Sequence, residues 1–357
     1  MCWLILGGRS NGLAVARALG CPSNVYVLDC SPDKPVSVFS QYVKEVFIIG
    51  SEFQCVASFL DDFLSIKEAV LIATDDWWLY QVSKYKEFSD KKFYGFFPDR
   101  LMLDLILDKK ALYEFFSDCV VVPKVVDPVD AIDLEGYIVK PRISFNEAGI
   151  IEKGINSFDK YKGLGVDVVV QENIDAPLDA HLSICGIRVG GRILYPFFSR
   201  KIMEYPSPMG TATMVQNISD PFLMEKLLEC GQVILSRLDY KGIFELEFIV
   251  SQGQLWFIDF NPRFWLQHGM AINVGINYAR LYSELSKDIV PISSLMKKSK
   301  VSKKLVWLHE GAPLSFIKSN NKLGILWMLI TSKITFAHFK ITDMKPFWYF
   351  LICKLRR

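Results

Sequence analysis

Apolar runs of four or five residues recur through the first hundred positions, each closed by a turn and followed by a stretch of helical period. Trp3–Leu6 ends in Gly7-Gly8-Arg9-Ser10-Asn11-Gly12, Leu13–Leu19 spaces its apolar residues as a helix does, and Val25–Asp29 is a second run. Short continuous apolar runs mark strands covered on both faces, whereas half-exposed strands alternate. Strand, glycine turn, helix and strand make one βαβ unit. Glu45–Ile49 and Ala69–Ala73 add two strands, with a helix over Phe53–Leu64 between them. The pattern predicts a parallel α/β domain over 1–98, with Pro98-Asp99 as its linker.

The pattern then changes. Arg100–Phe116 is periodic and helical, and Pro221–Arg237 is a second helix. Val120–Val126, Tyr137–Lys140, Val166–Glu172, His181–Val189, Arg192–Phe197, Phe244–Val250 and Gln254–Asp259 read as strands. Strands and helices no longer alternate, so 99–296 is expected to be a separate α+β domain with antiparallel sheets. No repeat of 20–50 residues is visible. Residues 297–357 form a third segment, rich in lysine and aromatics.

Composition narrows the class. Of 357 residues 51% are hydrophobic and 22% charged, which excludes a disordered or collagenous chain. Apolar charge-free runs such as Leu323–Ser332 and Pro346–Cys353 fall short of the ~18 apolar residues of a membrane span. Met1–Leu6 leads into a glycine turn without a basic region, so it reads as a strand and not a signal peptide, and a cytoplasmic protein is expected. Eight scattered cysteines without a CxxC pair fit reduced thiols better than zinc or disulfides. The net charge of +2 hides an asymmetry: 297–357 carry 13 Lys/Arg against Glu310 and Asp343, leaving 28 basic and 37 acidic residues before them. Such a tail, with aromatics in Pro346–Arg357, is expected either to pack on the body or to touch an anionic membrane surface. No nucleic-acid-binding module is present.

The Gly7–Gly12 turn followed by Asp29 is a near miss to a dinucleotide fingerprint. It admits a structural turn, a small-anion or substrate contact, or a nicotinamide site and hence an NAD-dependent oxidoreductase. Gly242–Arg263 is more informative: two apolar runs flank Ser251-Gln252-Gly253, which makes a hairpin. Glu245 and Glu247 share one face of the first strand; Asp259, Asn261 and Arg263 share one face of the second. Buried carboxylates repel unless a cation neutralises them, and these oxygens suit Mg²⁺ (or Mn²⁺), with a salt bridge to Arg263 as the alternative. His181 and His268 lack a second ligand nearby and read as structural or surface residues.

Glu247, followed twelve positions later by Asp259 within Asp-Phe-Asn-Pro-Arg263, resembles the metal-binding end of the ATP-grasp superfamily. The likeness is to the branch around carbamoyl-phosphate synthase, biotin carboxylase and amino-acid ligases, which usually has Glu at the position of Asp259. Upstream, Asp108-Lys109 resembles the start of the helix bearing the first ATP lysine, and Tyr137-Ile-Val-Lys140-Pro141 the strand bearing the second. Gln171-Glu172-Asn173-Ile174 resembles the adenine-binding hinge, and Asp179 matches the acidic group on the ribose. Where the family has a glycine-rich phosphate loop, Arg142–Gly149 has a single glycine.

The resemblance implies a Rossmann-like parallel-sheet domain over 1–98, an ATP-grasp fold over 99–296, and a basic C-terminal segment over 297–357. It implies ATP and Mg²⁺, with Glu247, Asp259 and Asn261 on the metal, Lys109 and Lys140 on phosphates, and Arg263 and Lys140 catalytic. The implied reaction joins a small-molecule carboxylate to an amine through an acyl phosphate, releasing ADP and phosphate. An ATP-binding protein without turnover is the other reading.

Overall fold

The structure is a computed structural model and describes residues 1–126, 136–143, 152–153, 165–206, 210–288 and 304–355. The first four strands form a parallel sheet in the order β3-β2-β1-β4: β1 (Cys2–Leu6), β2 (Val25–Asp29), β3 (Glu45–Ile48) and β4 (Ala69–Ala73). Its central strands are buried on both faces, as their unbroken apolar runs require. Gly7 takes a φ of +95° to turn the chain into the helix Ser10–Leu19, and a Cβ on Gly12 would meet the Gly7 carbonyl oxygen at 2.0 Å. Asp29 is buried, accepting from the Gly8 amide at 2.6 Å and from the Ser31 amide at 2.8 Å. The carboxylate that a dinucleotide site would need is therefore holding the turn together.

The next four strands form a small antiparallel sheet, β5-β8-β6-β7: β5 (Val125–Val126), β6 (Tyr137–Pro141), β7 (Glu152–Lys153) and β8 (Val168–Glu172). The predicted strand over Val120–Val126 shrinks to its last two residues and an isolated bridge from Val121 to Trp256. The remaining strands build the large sheet, β13-β12-β9-β10-β11-β14-β15: β9 (His181–Val189), β10 (Arg192–Tyr205), β11 (Thr211–Asn217), β12 (Gly242–Ser251), β13 (Gln254–Asn261), β14 (Leu305–Leu308) and β15 (Lys333–Phe336). The helix Pro221–Arg237 packs on it, burying Leu227, Ile234 and Leu235 against Ile184 and Leu246.

One reading changes and another gains detail. The helical stretch Arg100–Phe116 is two helices, Arg100–Leu107 and Lys109–Phe116, because Asp108 stops the first and caps the second, accepting from the Lys110 and Ala111 amides. The C-terminal segment packs on the body, one of its two expected placements: β14 pairs with β11 and β15 with β14, so it supplies the last two strands of the large sheet. It also reaches the first domain, where buried Asp343 accepts from Arg17, Ser40 and Gln41. One core runs through both domains, with Ile5, Val27 and Ile72 in the same cluster as Trp265, Tyr278 and Trp307. No helix among the described residues is long and apolar enough to cross a membrane.

Candidate active site

The hairpin β12–β13 has the register its alternation required, with Glu245 opposite Asn261 and Glu247 opposite Asp259, so all four project from one face. They do not stand as free charges. The Asn261 amide donates to Glu247 Oε1 at 2.9 Å and to Glu245 Oε2 at 3.2 Å, and its oxygen accepts from Arg263 Nη2 at 2.9 Å. Gln267 donates to Glu245 at 3.0 Å. Burial and the neighbouring Glu247 push the Glu245 carboxyl up to about 8, and burial with Asp259 raises Glu247. Burial also penalises ionised Asp259, but Lys109 and Lys140 outweigh it and hold its carboxyl low. Buried Glu245 and half-buried Glu247 and Asp259 crowd one hairpin face, and that concentration of carboxylate oxygen fits a hard divalent cation. The Asn261 oxygen, with one lone pair taken by Arg263, has a second to offer an ion.

The cations come from elsewhere in the chain. Lys109, at the start of its helix, pairs with Asp259 at 2.7 Å. Lys140 on β6 is 4% exposed and donates to Tyr113 Oη at 2.9 Å. Among the described residues no carboxylate lies within ion-pair distance of it, and burial together with Lys109 lowers it to about 7. Arg263 is clamped from the other side by Asp76, whose Oδ1 accepts from its Nε at 2.9 Å. Lys109, Lys140, Glu247, Asp259, Asn261 and Arg263 all line one cavity of about 570 Å³. The Arg9-Ser10-Asn11 turn and Asp75-Asp76 of the first domain line it as well, so both domains build it.

The residues of the expected hinge lie beyond the lining of this cavity. Gln171 buries its side chain, accepting from Tyr113 Oη at 3.0 Å. The Glu172 amide pairs with the Lys124 carbonyl and the Asn173 amide with the Gly136 carbonyl. Glu172, Asn173, Ile174 and Asp179 are outside the lining of this cavity, with Asp179 exposed in the short turn Leu178–Ala180. Of the loop Arg142–Gly149 only Arg142 and Ile143 are described, and Arg142 bridges Asp108 at 2.6 Å and Asp167 at 3.2 Å. His181 and His268 are both lowered to about 4, chiefly by burial, which agrees with structural roles.

Sequence reading missed several contributors. Tyr113 ties Lys140, Gln171 and the Ile258 carbonyl together, yet its helical position reads only as core. Asp76 follows a helix cap, so its charge reads as dipole compensation. Ser10 contacts buried His338 Nε2 at 2.9 Å, and His338 Nδ1 in turn meets Glu310 at 2.5 Å, linking the C-terminal segment to the cavity wall. None of these had a spacing signal.

No protein-family model and no curated protein matches the sequence. Solved structures do. An L-amino acid ligase from Bacillus licheniformis superposes with a TM-score of 0.65 at 11% identity, over 85% of this chain and 78% of that one. An N5-carboxyaminoimidazole ribonucleotide synthetase in its ADP complex gives 0.64 at 11% identity, over 85% and 80%. A phosphoribosylglycinamide synthetase from Anaerococcus prevotii gives 0.60 at 16% identity, over 85% and 79%. These are ATP-grasp ligases. The chain therefore has the fold they share: a parallel-sheet domain followed by the ATP grasp, with one small antiparallel sheet and one large sheet that is antiparallel except for its last pair, β14–β15.

Proposed function

We propose that this protein is an ATP- and Mg²⁺-dependent carboxylate–amine ligase that works through an acyl phosphate and releases ADP and phosphate. The observation that carries the reading is the cavity: a carboxylate cluster on β12–β13 faces Lys109, Arg263 and Lys140, the last without a carboxylate partner among the described residues. Joining a carboxylate to an amine requires a leaving group in place of oxide, and phosphoryl transfer needs positioned cations more than a covalent nucleophile. Glu247 and Asp259, with Asn261, would hold the metal, which when bound neutralises charge on the transferring phosphoryl group. Lys140 and Lys109 receive phosphate oxygens, and Arg263, aimed by Asp76, steadies the carboxylate end.

The Gln171–Ile174 segment and Asp179 are assigned to adenine and ribose. The acid and the amine enter against the Arg9–Asn11 wall. An ADP-bound neighbour and an amino-acid ligase neighbour support this reading.

Glu247→Ala and Asp259→Ala should each abolish Mg²⁺-dependent ADP release, more than 100-fold, with circular dichroism unchanged. Turnover like wild type in both overturns the metal assignment. With a carboxylate substrate labelled with ¹⁸O, label should appear in the released phosphate; AMP and pyrophosphate as products would reject the acyl-phosphate route.

A further inference from the structure

The helix Lys322–Thr331 is apolar on every side. One side is accounted for: Ile325 is 3% exposed, and Met328 and Leu329 pack with it against Met203, Met214, Val306 and Leu308. The other side is bare. Leu323 is 84% exposed, Leu326 45%, Trp327 66% and Ile330 79%. Their spacing of i, i+3, i+4 and i+7 puts them on one stripe. The preceding helix, Ala312–Lys318, packs beside it and adds Leu314 and Ile317, both at least half exposed. Apolar surface this concentrated on a water-facing helix pair marks a binding face.

Charge selects the occupant. Residues 304–355 contain Lys304, Lys318, Lys322, Lys333, Lys340, Lys345 and Lys354 against Glu310 and Asp343. Both carboxylates turn inward, Glu310 to His338 and Asp343 to Arg17, with side chains 6% and 2% exposed. The outward charge of this segment is thus cationic, and Lys318, Lys322 and Lys333 close both ends of the bare stripe. A two-fold contact with a second copy would bring these lysines against their own equivalents without carboxylates from this segment to answer them. An anionic lipid surface answers the lysines and accepts the apolar side chains together. Ten helical residues rise only ~15 Å, half of a hydrocarbon core, so the helix lies along the interface.

We propose that Leu323, Leu326, Trp327 and Ile330, with Leu314 and Ile317, dock this protein onto an anionic membrane leaflet. This places the contact upstream of the terminal aromatic cluster Pro346–Arg357, whose helix instead packs on the first domain, with Tyr349 against Phe39. The full chain should co-sediment with vesicles of 30% phosphatidylglycerol in phosphatidylcholine, and at least tenfold less with phosphatidylcholine alone. Binding should fall as salt rises. Trp327→Ser with Ile330→Ser, both at exposed positions, should reduce binding at least tenfold without lowering Tm. Lys318→Gln with Lys322→Gln should reduce it about fivefold per lysine removed, the weight of one basic residue near an anionic leaflet. Full-length protein that stays in the supernatant on anionic vesicles at low salt overturns the proposal. So does a light-scattering dimer that Trp327→Ser with Ile330→Ser dissolves while vesicle binding is unchanged, since a second copy then covers the face.

Discussion

Lys140 concentrates the chemistry of the cavity in one side chain. Burial and Lys109 lower it to about 7, so near neutral pH it is poised between charged and neutral. A phosphate oxygen beside it favours the protonated form and raises it again. Nucleotide binding above pH 7 must then take up a proton, and affinity should weaken by up to about tenfold per pH unit. Calorimetry in two buffers of different ionisation enthalpy should show that uptake at pH 8 and none at pH 6. Lys140→Arg keeps its charge throughout and should flatten the dependence; equal slopes for wild type and variant would refute the assignment. The charged residues of this site were legible because lysine and carboxylates rarely sit in apolar strands without a task. Tyr113 was not, since an aromatic on the inward side of a helix looks the same whether it packs or organises a lysine. Asp76 was equally hidden, being 187 positions from the Arg263 it orients.

At the level of elements, local rules succeeded where one local feature decided the outcome. The β12–β13 hairpin is set by alternation and a Gln-Gly turn, so its facing carboxylates could be placed from spacing alone. The stretch Arg100–Phe116 misled because periodicity continues across Asp108, while the cap that divides it depends on one side chain. Asp108 accepts from two amides and bridges Arg142, fixing where Lys109 leaves the helix toward Asp259. Asp108→Ala should cost about 1–2 kcal/mol from the lost cap, read as a lower midpoint in urea. It should also weaken nucleotide binding several-fold, because Lys109 loses its anchor. Asp108→Asn, which still caps, should recover most of the stability and little of the Arg142 bridge. An unchanged midpoint for Asp108→Ala would show that the cap contributes nothing to stability. Strands β14 and β15 escaped sequence reading for another reason: Leu305–Leu308 is a short apolar run in a lysine-rich stretch, and only its partner β11, some ninety positions earlier, makes it a strand.

For the whole molecule, the C-terminal segment acts as a brace between two domains that share one cavity. It extends the large sheet through β14 and β15 and grips the first domain through Asp343. Arg17 and Asp343 meet at 2.9 Å with side chains 9% and 2% exposed, so neither is solvated. Forming such a pair from water gains little, because desolvation offsets attraction, but removing one member strands the other. Asp343→Ala should therefore lower stability by about 3–5 kcal/mol, with buried Arg17 left unpaired. Replacing both, Arg17→Met with Asp343→Leu, should recover most of that loss. The brace also carries His338, which touches Ser10 on the cavity wall, so loosening it reaches the site. Asp343→Ala should raise KM for the carboxylate or amine more than for ATP, because the residue the brace reaches is Ser10 and not Lys109 or Lys140. Equal stability of Asp343→Ala and wild type in urea would show that the segment rests on the first domain without bracing it.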